Sequence, residues 1–261
     1  KGLIEKYGDE VKDFRWGGVS AGGLVALAGS LNKTVTDCRN IFDDMQHIGN
    51  KYGVFGNMSF FLESILQKWI PDGGDEYKKL EGKLYIGVAY PICKFALVSK
   101  WSSNSELKDC IHASMHIPFY CNHLSYFKGC ITLDASFVKN VTLIDKDTIT
   151  VSPMSSSSDI STKTITTKEL FFLFTKDRAD EIFDQGYKDA LEFKSKKILK
   201  IRKSSLLKHV LKYLLCTFGW SLRVIEQIGV YRLLLTVFAI KWFRKRIKRG
   251  YYKQKNAMQG M

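Results

Sequence analysis

The sequence predicts an α/β protein built in three layers, α/β/α, around a mostly parallel sheet, and three observations lead there. Along residues 1–194, apolar segments of strand length alternate with segments of helical spacing, the order in which strands and crossover helices build such a sheet. A short apolar run, Phe14 to Val19, enters a glycine-rich turn, Gly17-Gly18-Val19-Ser20-Ala21-Gly22-Gly23, and a small-residue run, Leu24 to Gly29, leaves it. With 261 residues, 45% of them hydrophobic, the chain can bury one sizeable core and carry an appendage.

Taken in order, Leu3, Ile4 and Tyr7 read as a helix end, so native chain is expected upstream of Lys1. After the glycine-rich turn and its helix, Val35, Cys38, Ile41, Phe42 and Met45 recur at helical spacing over 32–45, with Thr34 or Thr36 as the N-cap. Residues 47–57 read as loop, 60–69 as an apolar helix closed by Pro71-Asp72-Gly73-Gly74. Residues 83–89 and 95–101 are β-branched and apolar enough for strands, and 106–115 for a short helix before Pro118. Residues 126–133 and 141–151 are strand-like, the second interrupted by Asp145-Lys146-Asp147; 154–167, rich in Ser and Thr, reads as surface loop. The domain closes with a helix over 179–193 that puts Ile182, Phe183, Tyr187, Ala190 and Leu191 on one face.

Charge divides the chain. The net charge is +14, but residues 195–261 hold 17 Lys/Arg against the single acid Glu226, while the preceding residues hold 23 Lys/Arg and 25 Asp/Glu. The expected organisation is therefore a nearly neutral domain, 1–194, followed by a cationic region, 195–261. In the latter, Leu206, Leu207, Val210, Leu211, Leu214 and Leu215 form an apolar helical stripe flanked by Lys208 and Lys212. A second apolar stretch, 228–243, contains Arg232 and Lys241 and runs into Arg244-Lys245-Arg246 and Lys248-Arg249. Its uninterrupted core, 233–240, is shorter than the ~20 residues a bilayer span needs, so the expectation is an interfacial helix on a membrane or lipid-droplet surface. Trp220, Tyr231, Trp242, Tyr251 and Tyr252 interleave with the cations as in nucleic-acid binders. They sit among leucines at helical spacing, however, which favours lipid, and no nucleic-acid partner is expected. Six cysteines without a Cys-x-x-Cys pair, and no signal peptide, point to reduced thiols and an intracellular, peripheral location. The sequons at Asn32, Asn57 and Asn140 do not outweigh that reading.

Gly18-Val19-Ser20-Ala21-Gly22 has the Gly-x-Ser-x-Gly form of a nucleophile elbow in the required strand–turn–helix context. Glycines two positions either side of the serine let strand and helix nearly touch, and the helix N-terminus aims N–H groups at an oxyanion formed beside it. A Ser–Asp–His triad in that chain order lacks its histidine. His47, His112, His116 and His123 precede the best acid, and His209 sits on the cationic region. A Ser–Asp dyad remains: Asp134 closes the strand-like Cys130-Ile131-Thr132-Leu133, and the small Ala135 and Ser136 after it allow close approach to Ser20. The competing reading of Asp134 is an ordinary turn cap. Cys110, His112, His116, Cys121 and His123 are crowded enough to suggest zinc, but their spacing matches no standard site, and no metal or cofactor is expected. A phosphate cradle at the helix N-terminus is the weaker alternative for the glycine-rich turn, because no Lys-Ser/Thr follows the glycines.

Five motifs in order over residues 15–191 resemble the patatin-like phospholipases, nearest the adiponutrin and adipose-triglyceride-lipase branch. They are the Gly18–Gly22 elbow; 110–119, similar to a helix of type Ala-Ser-x-x-Ile-Pro-Phe; Asp134-Ala135; 148–153 followed by Asp159-Ile160; and 185–191, similar to a Gly-Tyr-x-Asp helix. The resemblance implies a patatin-like fold, Ser20 as nucleophile, Asp134 as the base, and the Ala21 N–H as one oxyanion donor. It implies a calcium-independent acyl hydrolase acting on triacylglycerol or phospholipid, with no cofactor. The family's Gly-Gly-Gly-x-Arg/Lys-Gly loop, which supplies the main oxyanion donors, does not precede Gly17, and Asp-Gly-Gly is Asp-Ala-Ser here. Loss of one such donor costs ~10²–10³ in turnover. The departure therefore keeps a second expectation open, a weakened or silent patatin-like module that binds lipid surfaces.

Overall fold

The structure, a computed structural model, describes residues 1–194 apart from 55, 91–93, 119, 122, 154, 156–157, 162–164, 167–168 and 170–174. These residues belong to the first of the chain's two units, Lys1–Cys216. The cationic region expected over 195–261 lies outside them. No helix among the described residues is long and apolar enough to cross a membrane.

The architecture is mixed helix and strand with a small mixed sheet. Strands β1 (Trp16–Gly18), β2 (Leu84–Tyr90) and β3 (Lys94–Val98) lie in the order β1-β2-β3, with β1 parallel to β2 and β3 antiparallel to it. The expected mostly parallel sheet is thus corrected. Parallel pairing needs a crossover of a dozen or more residues, which the helical stretch between β1 and β2 supplies. Only residues 91–93 separate β2 from β3, so β3 must return antiparallel. β2 is the hub: Leu84, Ile86, Val88 and Ala89 are all fully buried, as a strand covered on both faces requires.

Around the sheet run α1 (Gly2–Tyr7), α2 (Ala21–Ser30), α3 (Val35–Tyr52), α4 (Met58–Trp69), α5 (Glu76–Leu80), α6 (Asn104–Ser114) and α7 (Lys176–Glu192). Leu27 of α2, Leu66 of α4 and Ile111 of α6 are fully buried in one core cluster with Leu84 and Ile86. At ~25 cal/mol per Å² of apolar surface, each fully buried Leu or Ile contributes roughly 1.5–3 kcal/mol before entropy is counted. This cluster holds α2 and α6 against β2.

Two helix starts follow from capping chemistry. Thr34 Oγ1 accepts the Asp37 N–H at 3.1 Å while the Asp37 carboxylate accepts the Thr34 N–H at 2.9 Å, a reciprocal capping box that starts α3. Ser103 Oγ accepts the Glu106 N–H at 3.1 Å and starts α6. α3 runs on to Tyr52, so the loop expected over 47–57 shrinks to a turn after Gly53, whose φ of 78° ends the helix. One interior glycine, Gly49, costs a helix about 1 kcal/mol and does not stop it.

Three further expectations change. The strand expected over 126–133 is a hairpin of β4 (Tyr126–Phe127) and β5 (Cys130–Ile131). Lys128 and Gly129, at φ 51° and 73°, form the two-residue turn between them. Residues 141–151 are not a strand. Thr148 Oγ1 accepts the N–H groups of Ile144 and Asp145, and Asp145 Oδ1 accepts that of Asp147, so side chains take the bonds a ladder would use. Only Val151 pairs, in an isolated bridge to Ile160. On α7, Ala190 is buried, but Leu191 is 39% exposed and leaves the predicted apolar face. Contact with α1 explains Ala190: a Cβ on Gly2 would fall 2.6 Å from the Ala190 Cβ, so only glycine permits this approach.

Candidate active site

β1 delivers Val19 and Ser20 to the junction with α2. Ser20 has φ 52° and ψ −137°, a conformation that costs a non-glycine residue about 1–3 kcal/mol and persists only when neighbours enforce it. Three bonds enforce it here. The Ser20 N–H donates to Ser114 Oγ at 2.9 Å, and Ser114 is fully buried on α6. The Gly22 N–H donates to Val19 O at 2.9 Å and the Gly23 N–H to Ser20 O at 2.8 Å.

The two glycines of the motif do different work. A Cβ on Gly18 would overlap the carbonyl of Gly22, so glycine there is required by the strand–helix approach. A Cβ on Gly22 would meet nothing within 4 Å. The expectation that both positions must be bare for the same packing reason is therefore corrected. The expected fan of helix N–H donors is also narrower: Gly22 and Gly23 spend theirs inside the turn, leaving Ala21. Ala21 and Gly22 are both exposed.

Asp134 meets this elbow from the opposite direction. The Leu133 N–H donates to Ala89 O at 3.1 Å, hanging the chain after β5 on β2, and the Asp134 N–H donates to His116 O at 2.6 Å. A 3-10 turn, Ala135–Phe137, follows; Ala135 is fully buried against Val19 and Ala89 and seats the turn. The result is a hydrogen bond from Ser20 Oγ to Asp134 Oδ2 at 2.5 Å. The other carboxylate oxygen, Oδ1, accepts the Ser136 N–H at 2.9 Å and the Ser136 hydroxyl at 2.5 Å. Asp134 is 1% exposed, and burial pushes its carboxyl above the usual value of 3.8, while the Ser136 and Ser20 donors oppose that rise. A buried carboxylate with raised affinity for protons, touching a serine hydroxyl at a strained turn, can take that proton as the oxygen attacks an electrophile.

The turn-cap reading of Asp134 is also realised, since Oδ1 accepts the Ser136 N–H as an N-cap. The two roles use different oxygens.

The histidines fall elsewhere. His112 Nε2 lies 3.0 Å from Glu63 Oε2. His116 is 2% exposed with its Nε2 unpartnered among the described residues, and burial together with His123 and His112 pushes its pKa down to about 4. Among the described residues no three His, Cys, Asp or Glu side chains form a group able to hold a metal ion. Cys38, Cys110, Cys121 and Cys130 are free thiols.

The structure thus brings together Gly18, Ser20, Ala21, Gly22 and Asp134, and adds Ser114 and Ser136, to which sequence reasoning gave no bonding role. For Ser136 the signal was the Asp-x-Ser spacing, a recurrent local side-chain–backbone motif. For Ser114 nothing local signalled a bond to a residue 94 positions away. Compared with known proteins, the chain matches no family model, no curated protein and no solved structure.

Proposed function

We propose that this chain is a serine lipid acyl hydrolase of patatin-like type, cleaving fatty-acyl esters of glycerolipids with a Ser20–Asp134 dyad. The observation that carries the reading is the 2.5 Å hydrogen bond from Ser20 Oγ to Asp134 Oδ2 at a serine held at φ 52° between a strand end and a helix start. Ser20 Oγ attacks the ester carbonyl carbon and its proton passes to Asp134 Oδ2. The Ala21 N–H steadies the oxyanion, and the proton then leaves with the alcohol as the tetrahedral species collapses to an acyl-serine. Water, deprotonated by the same carboxylate, releases the fatty acid. The open space beside Gly22 leaves room for the ester at the exposed side of the elbow. The three-layer patatin-like fold belongs to this proposal, as does attachment of the cationic region 195–261 to a membrane or droplet surface.

One observation favours a second reading, a lipid-surface binding module with little turnover: Gly22 and Gly23 spend their N–H groups inside the turn. Each missing oxyanion donor costs ~10²–10³ in turnover.

The test is hydrolysis of a soluble short-chain ester and of glycerolipid vesicles, with fluorophosphonate labelling of the same protein. Ser20→Ala should abolish hydrolysis and labelling; full activity in that variant would sink the assignment. Labelling at Ser20 without measurable hydrolysis would favour the second reading. Replacing Arg244, Lys245, Arg246, Lys248 and Arg249 by Ser should lower activity on anionic vesicles and spare the soluble ester. Equal activity on both would remove the surface role of this segment.

A further inference from the structure

We propose that Ser136 is a positioning residue of this site: its hydroxyl, donated to Asp134 Oδ1, fixes which carboxylate oxygen faces Ser20 and replaces the water that the buried carboxylate has lost. The inference rests on the Ser20–Asp134 reading and extends it to the residue that sets the base.

The geometry separates what Ser136 does for the turn from what it does for the carboxylate. The backbone part, a Ser136 N–H to Oδ1 bond of 2.9 Å, caps the 3-10 turn and would survive any side chain at 136 other than proline. Packing of the turn falls to Ala135, fully buried, whereas Ser136 is only half-buried. The hydroxyl serves neither purpose. It lies 2.5 Å from Oδ1 and gives the carboxylate a second donor on the oxygen turned away from Ser20. With two donors on Oδ1, the carboxylate cannot rotate without breaking both, so Oδ2 stays against the nucleophile. A hydrogen bond to an ionised, water-excluded acceptor is about twice as strong as a neutral one, which gives this contact leverage on the protonation of Asp134.

Few other groups compete for that control. Asp134 is 1% exposed. Ser20 reaches it from the elbow with a hydroxyl, and His116 through its backbone carbonyl. The Cys121 thiol, from the segment after α6, is close enough to feel the Asp134 charge, and burial holds that thiol above its ordinary value, so it carries no charge near neutral pH. Removing the Ser136 hydroxyl withdraws a donor that favours the charged form, so the carboxyl must protonate at higher pH.

The experiment compares the full-length protein with Ser136→Ala and Ser136→Thr. It reads the pH–rate profile on a soluble short-chain ester and the carboxyl titration of Asp134 by carbon-13 NMR, with Asp134→Asn identifying the resonance. In Ser136→Ala the acid limb and the titration midpoint should both rise by about one pH unit. kcat at pH 7 should fall about tenfold with little change in KM. Ser136→Thr keeps the hydroxyl and should restore both. An unmoved midpoint and acid limb in Ser136→Ala, with the protein folded by circular dichroism, overturn the proposal. The titration needs no turnover, so the two readings fail separately. A midpoint that moves while Ser20→Ala hydrolyses normally would sink the dyad and leave the Ser136–Asp134 contact standing.

Discussion

Placing a carboxylate out of water costs free energy, and Asp134 does so beside the Ser20 hydroxyl, the nucleophile of the proposed dyad. Its folded-state pKa lies above the ordinary 3.8 because burial outweighs the Ser136 and Ser20 hydrogen bonds. A group raised in this way contributes stability below its unfolded pKa, and that contribution is lost as pH rises through the folded value. At pH 7 the ionised Asp134 is therefore a net cost to the fold. Asp134→Asn keeps the shape and removes the charge. It should raise Tm at pH 7 by about 2–4 °C, the response of a domain this size to about 1 kcal/mol, while abolishing hydrolysis. The gain should be smaller at pH 4 than at pH 7, because the wild-type carboxyl takes up its proton as pH falls. A calorimetric scan at both pH values checks this, and an Asn variant less stable at pH 7 would contradict the burial argument. Of this constellation, Ser20, Asp134 and the elbow glycines were legible in the sequence because each sits in a spacing tied to chemistry. Ser114 was not, because its bond to Ser20 joins α6 to α2 across the core and leaves no local pattern.

The elbow between β1 and α2 is the element whose geometry the motif describes, and its two glycines are separable by experiment. Gly18→Ala pushes a Cβ into the Gly22 carbonyl and should cost about 1–3 kcal/mol, read as a lower urea midpoint. Gly22→Ala meets open space inside α2 and should stabilise by about 0.5–1 kcal/mol, the ordinary helix preference for Ala. If Gly22 leaves room for an ester, the same variant should lose activity on long-chain substrates more than on acetate esters. Equal loss of stability in both variants would contradict the asymmetry. Elsewhere, elements with strong local signals were legible: the α3 start has its Thr34 and Asp37 capping box, and α4 and β2 have sustained apolar patterns. The strand expected over 141–151 failed because Asp145 and Thr148 bond their own backbone. The β4–β5 hairpin was missed because Lys128 adopts positive φ beside Gly129, without the Asn-Gly or Asp-Gly signal such turns carry.

Across the described part of the molecule, α6 and the segment after it couple the core to the site: Ser114 Oγ accepts from the Ser20 backbone N–H and His116 O from that of Asp134. That coupling has a consequence for acid stability. His116 is pushed to about 4, first by burial and then by His123 and His112, so the fold requires its neutral form. A histidine depressed below its unfolded value contributes stability that is fully present above about pH 6.5 and lost as pH falls from there through about 4. The span corresponds to about 3 kcal/mol. Urea unfolding should therefore show stability falling between pH 6.5 and 4, and His116→Leu should flatten that fall. An unchanged slope in the leucine variant would assign the acid sensitivity to other groups.

Composition alone separates a nearly neutral stretch, 1–194, from a cationic one, 195–261, because charge and apolar spacing are additive along a chain and need no partner to be read. The elbow motif and the helix after it are also local as patterns, since the glycine spacing and the small-residue run lie in one short stretch, although Ser114 helps hold the strained Ser20. Other features are contacts between distant segments. The direction of β3 follows from a three-residue link, and the division of labour between Gly18 and Gly22 from what lies above each. The pairing of Ser20 with a residue 114 positions away, and the Ser136 hydroxyl on its far oxygen, depend on β2 holding β1 and Leu133 in register. A hydrogen bond is decided by distance in space, and only the packed core sets that distance.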